Sequence, residues 1–249
     1  MIPRKSRLEM DLMREASRIS ALALSGVGGA IRPGVSTAEL DAIAESIITE
    51  HGASPAFKGY AGYPATICAS INEEVVHGIP NPNRLLVEGD IITIDVGAVY
   101  QGFVGDTADT FAVGAIDDQS QRLIDVTREG LFAGIAQCVD GHRLGDVSAA
   151  IGAVAKREGL GIIREYTGHG VGAKMHEEPS IPNWGTPRTG PRLRAGMTLA
   201  LEPMFAMGSG RVEVLGDGWT VVTRDKSRCA QIEHTVAITA EGPEILTKE

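Results

Sequence analysis

The sequence predicts an α+β fold, and three observations carry that prediction. Stretches with apolar residues at helical spacing arrive in pairs, and each pair is followed by short strand-like runs bounded by turn residues. The order helix, helix, strands then occurs a second time, with the break near Gly114. Residue identities do not visibly repeat, so the pattern reads as two related halves, about 1–114 and 115–249, packed as a single domain. A chain of 249 residues buries a substantial core without disulfides or a structural metal.

The elements follow in order. From Ser6 to about Ala30, Leu8, Leu12, Ile19 and Leu22 recur at helical spacing, and the short basic run PRKSR before them reads as a solvated approach to that helix. IRPGVSTAEL breaks the helix and restarts another, with Ser36 and Glu39 as a capping box ahead of Leu40, Ile43 and Ile47. HGASPAFKGYAGYP, residues 51–64, reads as loop punctuated by glycine and proline. Strands are expected at TICASI, DIITIDVGAV and GFVGDTADTFAV. Helices are expected over 118–139 and from about 144 to 156, then strands at GIIREY, MTLALEP, VEVLG, WTVVT and AQIEHTVAI. Residues 178–195, with four prolines, read as the one long loop of the second half.

Composition removes several function classes. The hydrophobic fraction of 43% and charged fraction of 22% are those of an ordinary globular protein. A net charge of −9 argues against nucleic acid and anionic membrane as partners, since both favour basic surface. No stretch reaches the apolar length of a membrane span, and the first residues lack the apolar segment of a signal peptide. Cys68, Cys138 and Cys229 are widely spaced and form no CxxC pair, which suits a reducing cytoplasm.

IDVGAVYQGFVGDTADTF, residues 94–111, reads as a core hairpin that nevertheless carries Asp95 and Asp106. With a two-residue turn at Tyr100 and Gln101, residue 99 pairs with 102 and Asp95 pairs with Asp106. Two carboxylates directly opposite have Cβ atoms roughly 5 Å apart and repel. A cation between them removes that penalty; solvation on an exposed face is the plainer alternative.

Other segments supply more groups of the same chemistry. EYTGHGVGAKMHEEPSIPNW holds His169 between glycines and His176 seven residues later, and glycines let a backbone approach a neighbour closely. ALEPM ends an apolar strand on Glu202, held extended by Pro203. In AQIEHTVAI the alternation puts Gln231, Glu233 and Thr235 on one face, where a half-exposed strand with Glu233 outward is the plain reading. Together two aspartates, one histidine and two glutamates suit a pair of divalent ions sharing bridging carboxylates.

The ordered set Asp95, Asp106, His169, Glu202 and Glu233, with GHGVG and HGIP, resembles the type I methionine aminopeptidases over nearly the whole chain. The resemblance implies a single catalytic metallopeptidase domain with the pita-bread fold, two pseudo-symmetric αβ halves around a curved antiparallel sheet. It implies that Asp95 binds one metal, that His169 and Glu202 bind the other, and that Asp106 and Glu233 bridge them. It implies hydrolytic removal of the N-terminal methionine when the second residue is small and uncharged, with Glu202 shuttling a proton. His77 then sits near the scissile amide and His176 contacts the substrate carbonyl. Phe57, Tyr60, Tyr63, Cys68, Met175 and Trp219 match positions lining a methionine pocket, and aromatic and sulfur groups suit a thioether. Met175 and Phe57 depart from the commonest bacterial pattern, as does Ala61, which replaces a frequent histidine.

The cofactors implied are two divalent ions, Co2+, Mn2+, Fe2+ or Zn2+, with the native metal left open by an oxygen-rich donor set. The partners implied are N-terminal methionyl peptides and nascent chains, with the ribosome as a docking partner, for a cytoplasmic monomer. Proline-specific peptidases share the ligand set but usually carry a separate N-terminal domain, and here about ninety residues precede Asp95. Type II methionine enzymes carry a large insertion between the two glutamates, for which the spacing of Glu202 and Glu233 leaves no room. Non-catalytic relatives lose metal ligands, whereas all five positions are intact here.

The resemblance bears on the chain's own start, Met1-Ile2-Pro3. Ile2 is β-branched and large for a second residue, so Met1 is expected to stay on the protein made in a bacterial cytoplasm, and Ile2→Ala to make it removable. Intact-mass spectrometry decides: a wild-type chain mostly lacking Met1 would show the size limit to be wrong.

Overall fold

Two capping boxes start the first pair of helices. Ser6 and Glu9 exchange side-chain and backbone hydrogen bonds ahead of α1 (Arg7–Ala30), and Ser36 and Glu39 do the same ahead of α2 (Thr37–Glu50). The computed structural model describes residues 2–248; Met1, the subject of the initiator prediction, lies outside them. No helix among the described residues is long and apolar enough to cross a membrane.

The chain continues through β1 (Ser54–Pro55), a 3-10 turn at Tyr60–Gly62, β2 (Ile67–Ile71), β3 (Glu74–Val76), β4 (Ile91–Tyr100) and β5 (Phe103–Ala112). The second pair of helices is α3 (Asp118–Ile135) and α4 (Leu144–Glu158). After them come β6 (Gly161–Ile162), β7 (Gly168–Gly170), β8 (Glu177–Ile181), β9 (Thr198–Leu201) and β10 (Met204–Ala206). The last strands are β11 (Val212–Val214), β12 (Val221–Thr223), β13 (Cys229–Gln231), β14 (Glu233–Ile238) and β15 (Pro243–Ile245). The order helix, helix, strands therefore does occur twice. Two expected loops contain structure: residues 51–64 hold β1 and the 3-10 turn, and residues 178–195 hold most of β8, which pairs with β7 despite its proline. α3 stops at Ile135 rather than near 139, and the GIIREY strand shrinks to Gly161–Ile162.

One antiparallel sheet runs β1-β4-β5-β14-β9-β7-β8, with β2 also on β4 and β15 on β14. Ile92, Ile94, Val96 and Ala98 of β4 pack with residues of α1 and α2 in one apolar cluster. Leu123, Leu131, Val147 and Ile151 of α3 and α4 pack with Leu199, Leu201 and Val236 in another. Contact between α1 and the hairpin is close: a Cβ on Gly105 would come within 2.4 Å of the Ser17 backbone. Ser20 Oγ accepts from Ala98 N at 3.0 Å and lies 2.9 Å from Gly105 O, bonding the helix to both strands.

The hairpin register differs from the expected one by two residues. Tyr100 pairs with Phe103, Gly97 with Asp106 and Asp95 with Ala108. Gln101 and Gly102, at φ 47° and 83°, form the turn, because a tight hairpin needs left-handed residues there and Gly102 supplies one without a steric penalty. A shift of two keeps every side chain on its expected face. Asp95 and Asp106 therefore share a face as expected but sit diagonally, not directly opposite.

Candidate functional site

The face of the hairpin away from α1 forms one end of a cavity. Asp95, Ala108 and Glu233 lie side by side on β4, β5 and β14, since Asp95 pairs with Ala108 and Ala108 with Glu233. The small Ala108 side chain leaves the space above it to the two flanking carboxylates, while Asp106 stands two residues along on β5. Across the sheet, Ala200 of β9 pairs with both His169 of β7 and Thr235 of β14. Neither alanine was singled out from the sequence, because a small residue in a strand shows its purpose only when its neighbours across the sheet are known.

Threonine hydroxyls fasten the seam where β5 meets β14. Asp106 N donates to Thr235 Oγ1 at 3.2 Å, Thr235 Oγ1 donates to Asp106 O at 2.8 Å, and Thr107 Oγ1 donates to Glu233 O at 2.9 Å. The expectation that glycines beside His169 permit close approach is met on both sides. A Cβ on Gly168 would fall 2.4 Å from Ala200 O, and one on Gly170 would fall 2.2 Å from Glu178 O. Glu233 is 2% exposed, so the half-exposed strand with an outward glutamate is not what forms.

The donor set has the chemistry of a cation site. Ligand atoms of Asp106, His169 and Glu233 all lie within 4.8 Å of one another. His169 Nδ1 lies 2.9 Å from the Gly170 carbonyl, which can only accept, so Nδ1 carries the ring proton. Nε2 then presents a lone pair, and it faces Asp106 Oδ2 and Glu202 Oε1, each at 3.6 Å. Asp95 Oδ1, Asp106 Oδ1 and Glu233 Oε1 are buried without a hydrogen-bond partner. Acceptors converging on acceptors are repulsive, and a divalent cation converts that repulsion into coordination. The residues fit such an ion.

Electrostatics agree. Burial pushes the Asp95 carboxyl up to about 7. Burial and neighbouring carboxylates push Asp106, Glu202 and Glu233 well above the ordinary carboxylate range. Burial also lowers His169 to about 4 and lowers His77 and His176, so all three rings are neutral near neutral pH. Gln231, which the sequence reading left aside, donates from Nε2 to Glu202 Oε2 at 3.1 Å. Asn183 Nδ2 donates to the Glu202 carbonyl at 3.1 Å.

Every candidate metal ligand, catalytic histidine and pocket residue named from the sequence lines this one cavity, together with Val76, Tyr166 and Thr167, which were missed. Cys68 pairs with Asp95 across β2 and β4, bringing the thiol to the acidic end. Tyr63 and Trp219 meet edge to face at 5.1 Å between ring centroids, and His77 meets Tyr166 in the same way at 5.7 Å. β3, β12 and β11 form a small separate sheet, with His77 following β3 and Trp219 preceding β12. His77 takes φ 62°, an uncommon backbone state for a side chain with a Cβ. The next residue is locked in place: Gly78 O accepts from Ala69 N at 2.8 Å and lies 2.9 Å from the Tyr63 hydroxyl. His176 stands at the rim, its ring 4.3 Å from that of His169 and its Nδ1 2.9 Å from the Tyr60 hydroxyl. Ala61 adopts φ 48° in the 3-10 turn beside Tyr60 and does not line the cavity.

Comparison with known proteins follows the same lines. The model of metallopeptidase family M24 matches residues 11–240. The chain is 50% identical to methionine aminopeptidase 1 of Bacillus subtilis over 248 residues, covering 100% of both. It is 49% identical to the methionine aminopeptidase of Clostridium acetobutylicum, covering 99% of both. The crystal structure of methionine aminopeptidase from Thermotoga maritima superposes with a TM-score of 0.99 at 49% identity, covering 100% of both chains. The Xaa-Pro dipeptidase of Bacillus anthracis matches less closely, with a TM-score of 0.76 and 25% identity, and only 62% of that chain is covered.

The raised acids set a sign for stability. Between its ordinary value of 3.8 and about 7, Asp95 holds more proton in the folded chain than in the unfolded one, so its contribution falls as pH rises. The lowered histidines act oppositely, but only below their ordinary value of 6.5. From about pH 6.5 to 8 the acids alone decide, and protein stripped of divalent cations should lose thermal stability as pH rises. Added Mn2+ should raise Tm more at the upper end of that range. Calorimetric melts check both; a stripped protein that gains stability through this range would mean the acids ionise freely.

Proposed function

The chain belongs to metallopeptidase family M24 and, within it, to the methionine aminopeptidases, and from that membership we infer that it hydrolyses the first peptide bond of chains beginning with methionine. The fold is accordingly the pita-bread fold. The inference extends to substrates whose second residue is small and uncharged. A single observation carries the reading: the cation-type cluster and an aromatic, sulfur-lined pocket occupy one cavity. A methionine side chain held against Phe57, Tyr63, Cys68, Met175 and Trp219 brings its own α-amine and carbonyl to the acidic end.

In this reading Asp95, Asp106, His169, Glu202 and Glu233 would hold two divalent ions. Divalent ions there would act as Lewis acids, acidifying water and polarising the amide carbonyl. Glu202 accepts the proton of the attacking water and returns it to the leaving amine, a role supported by the Gln231 bond that fixes one oxygen. His176 donates to the carbonyl oxygen as negative charge develops. The Tyr60 hydroxyl, 2.9 Å from Nδ1, is compatible with that role: when the hydroxyl donates, the ring hydrogen sits on Nε2. His77 serves the scissile nitrogen side, backed edge-on by Tyr166. An oxygen-rich set with one imidazole accommodates Mn2+, Fe2+, Co2+ or Zn2+.

Residues from both halves, on either side of Gly114, line the one cavity, which supports a single catalytic domain; action as a monomer is part of the same proposal. Nascent chains at the ribosome, in the cytoplasm, are the natural source of such termini, and three free cysteines accord with that compartment.

The decisive assay follows free methionine released from a Met-Ala-Ser peptide. Chelation should abolish release and Mn2+, Co2+ or Fe2+ should restore it; full activity in verified metal-free protein would sink the mechanism. The histidines divide the roles further. His169→Ala should lose metal from one site, whereas His176→Ala should keep its metal and lose about 10²–10³-fold in kcat, the scale of one oxyanion donor. Equal metal loss in both variants, read by elemental analysis, would refute the division.

A further inference from the structure

The basic run before α1 is the solvated approach that its composition implies at Pro3, Arg4, Ser6 and Arg7, but not at Lys5. The Lys5 side chain is 5% exposed, and its ammonium lies 2.8 Å from Glu177 Oε2, on a side chain that is 10% exposed. The other carboxylate oxygen of Glu177 accepts from Lys174 N at 3.2 Å. Two glycines make the room. A Cβ on Gly172 would lie 2.5 Å from both Cε and Nζ of Lys5, and one on Gly196 would lie 3.2 Å from Lys5 O. The backbone is fastened as well, since Lys5 N donates to Gly196 O at 2.7 Å and Arg4 Nε to Ala195 O at 2.8 Å. Ile2 packs against the core beneath α3 and α4. Pro3 lines a groove outside the cavity that also touches His169, His176 and Glu177.

A buried ion pair is weak support for stability, because desolvating two charges offsets most of their attraction. What this pair does is geometric. Glu177 directly follows His176, and the turn from Gly172 to Glu177 carries Met175 and His176 into the site between β7 and β8. Its other ties sit at its two ends and its tip: Val104 N donates to Gly172 O at 2.8 Å, Gly172 N to Lys174 O, Glu177 pairs with Gly170, and the Tyr60 hydroxyl lies against His176. We propose that Lys5 is a positioning residue, whose buried pair with Glu177 clamps the turn 172–177 to the N-terminal arm and so holds His176 at the rim where the substrate carbonyl binds. The inference rests on the aminopeptidase reading above.

Lys5→Met, Glu177→Gln and the double variant, each as the full chain loaded with Mn2+, test it by kcat and KM on Met-Ala-Ser, metal per chain and Tm. A clamp on a group that acts in the transition state predicts that Lys5→Met lowers kcat per metal-loaded chain by about tenfold to a hundredfold. KM should stay within about twofold. The double variant leaves no charge buried alone, so it should recover Tm without recovering kcat. Should Lys5→Met not fold, Glu177→Gln carries the same comparison, because the amide keeps the size and the bond from Lys174 N. Wild-type kcat per metal-loaded chain in the single variants overturns the clamp while leaving the aminopeptidase reading intact. A double variant whose kcat returns together with its Tm does the same. A wild-type chain that frees no methionine overturns the functional reading and the clamp with it.

Discussion

Four carboxylates and one imidazole lone pair converge at the end of a buried cavity, and the rest of the structure is arranged to hold that convergence. Burial raises the proton affinity of Asp95, Asp106, Glu202 and Glu233, and neighbouring carboxylates raise that of the last three further. Only a rigid frame keeps such groups together in a chain that would relax by turning them outward. The hairpin β4-β5 answers with opposite faces of opposite character. Its aliphatic face is committed to α1 and α2, so rotating the acids to solvent would expose Ile92, Ile94 and Val96.

The frame is closed by hydroxyls and small side chains more than by bulk. Between β5 and β14 the paired stretch is short, Glu233 with Ala108 and His234 with Thr107, and the bonds of Thr107 and Thr235 extend it. Thr110 extends the same seam, bonding both Thr93 and the Gln231 carbonyl. Gln231 in turn holds Glu202. Restraint therefore passes from the seam to the Glu202 carboxylate, through groups that do not line the cavity.

The aromatic and sulfur-bearing wall of the cavity is assembled differently. Phe57 and Tyr60 come from the segment before β2, Cys68 from β2, Met175 and His176 from the turn before β8, and Trp219 from the edge of β12. Loops positioned on a rigid sheet commonly carry recognition in this way. Here Tyr63 ties one such segment to the turn after His77, and Lys5 ties the N-terminal arm to the turn that carries His176.

The sequence alone determined the helices, the central hairpin and most of the residues that line the cavity. Capping boxes, apolar periodicity and strand alternation are local signals, and they settle α1, α2, β4 and β5 within a few residues of their ends. Glycine-flanked His169 and the acids of apolar strands were legible because such residues carry a cost that only a function offsets. Register was not legible: Gln101 gives little signal as a left-handed turn residue, and the error of two residues left the face correct only because the strand period is two. Ala108, Ala200, Gln231 and the threonines of the seam were invisible, since their contacts lie across strands far apart in sequence. Lys5 was misread for the same reason. A short basic run is solvated by default, and only the tertiary structure, by laying Gly172 and Gly196 beside it, decided that its charge is buried against Glu177.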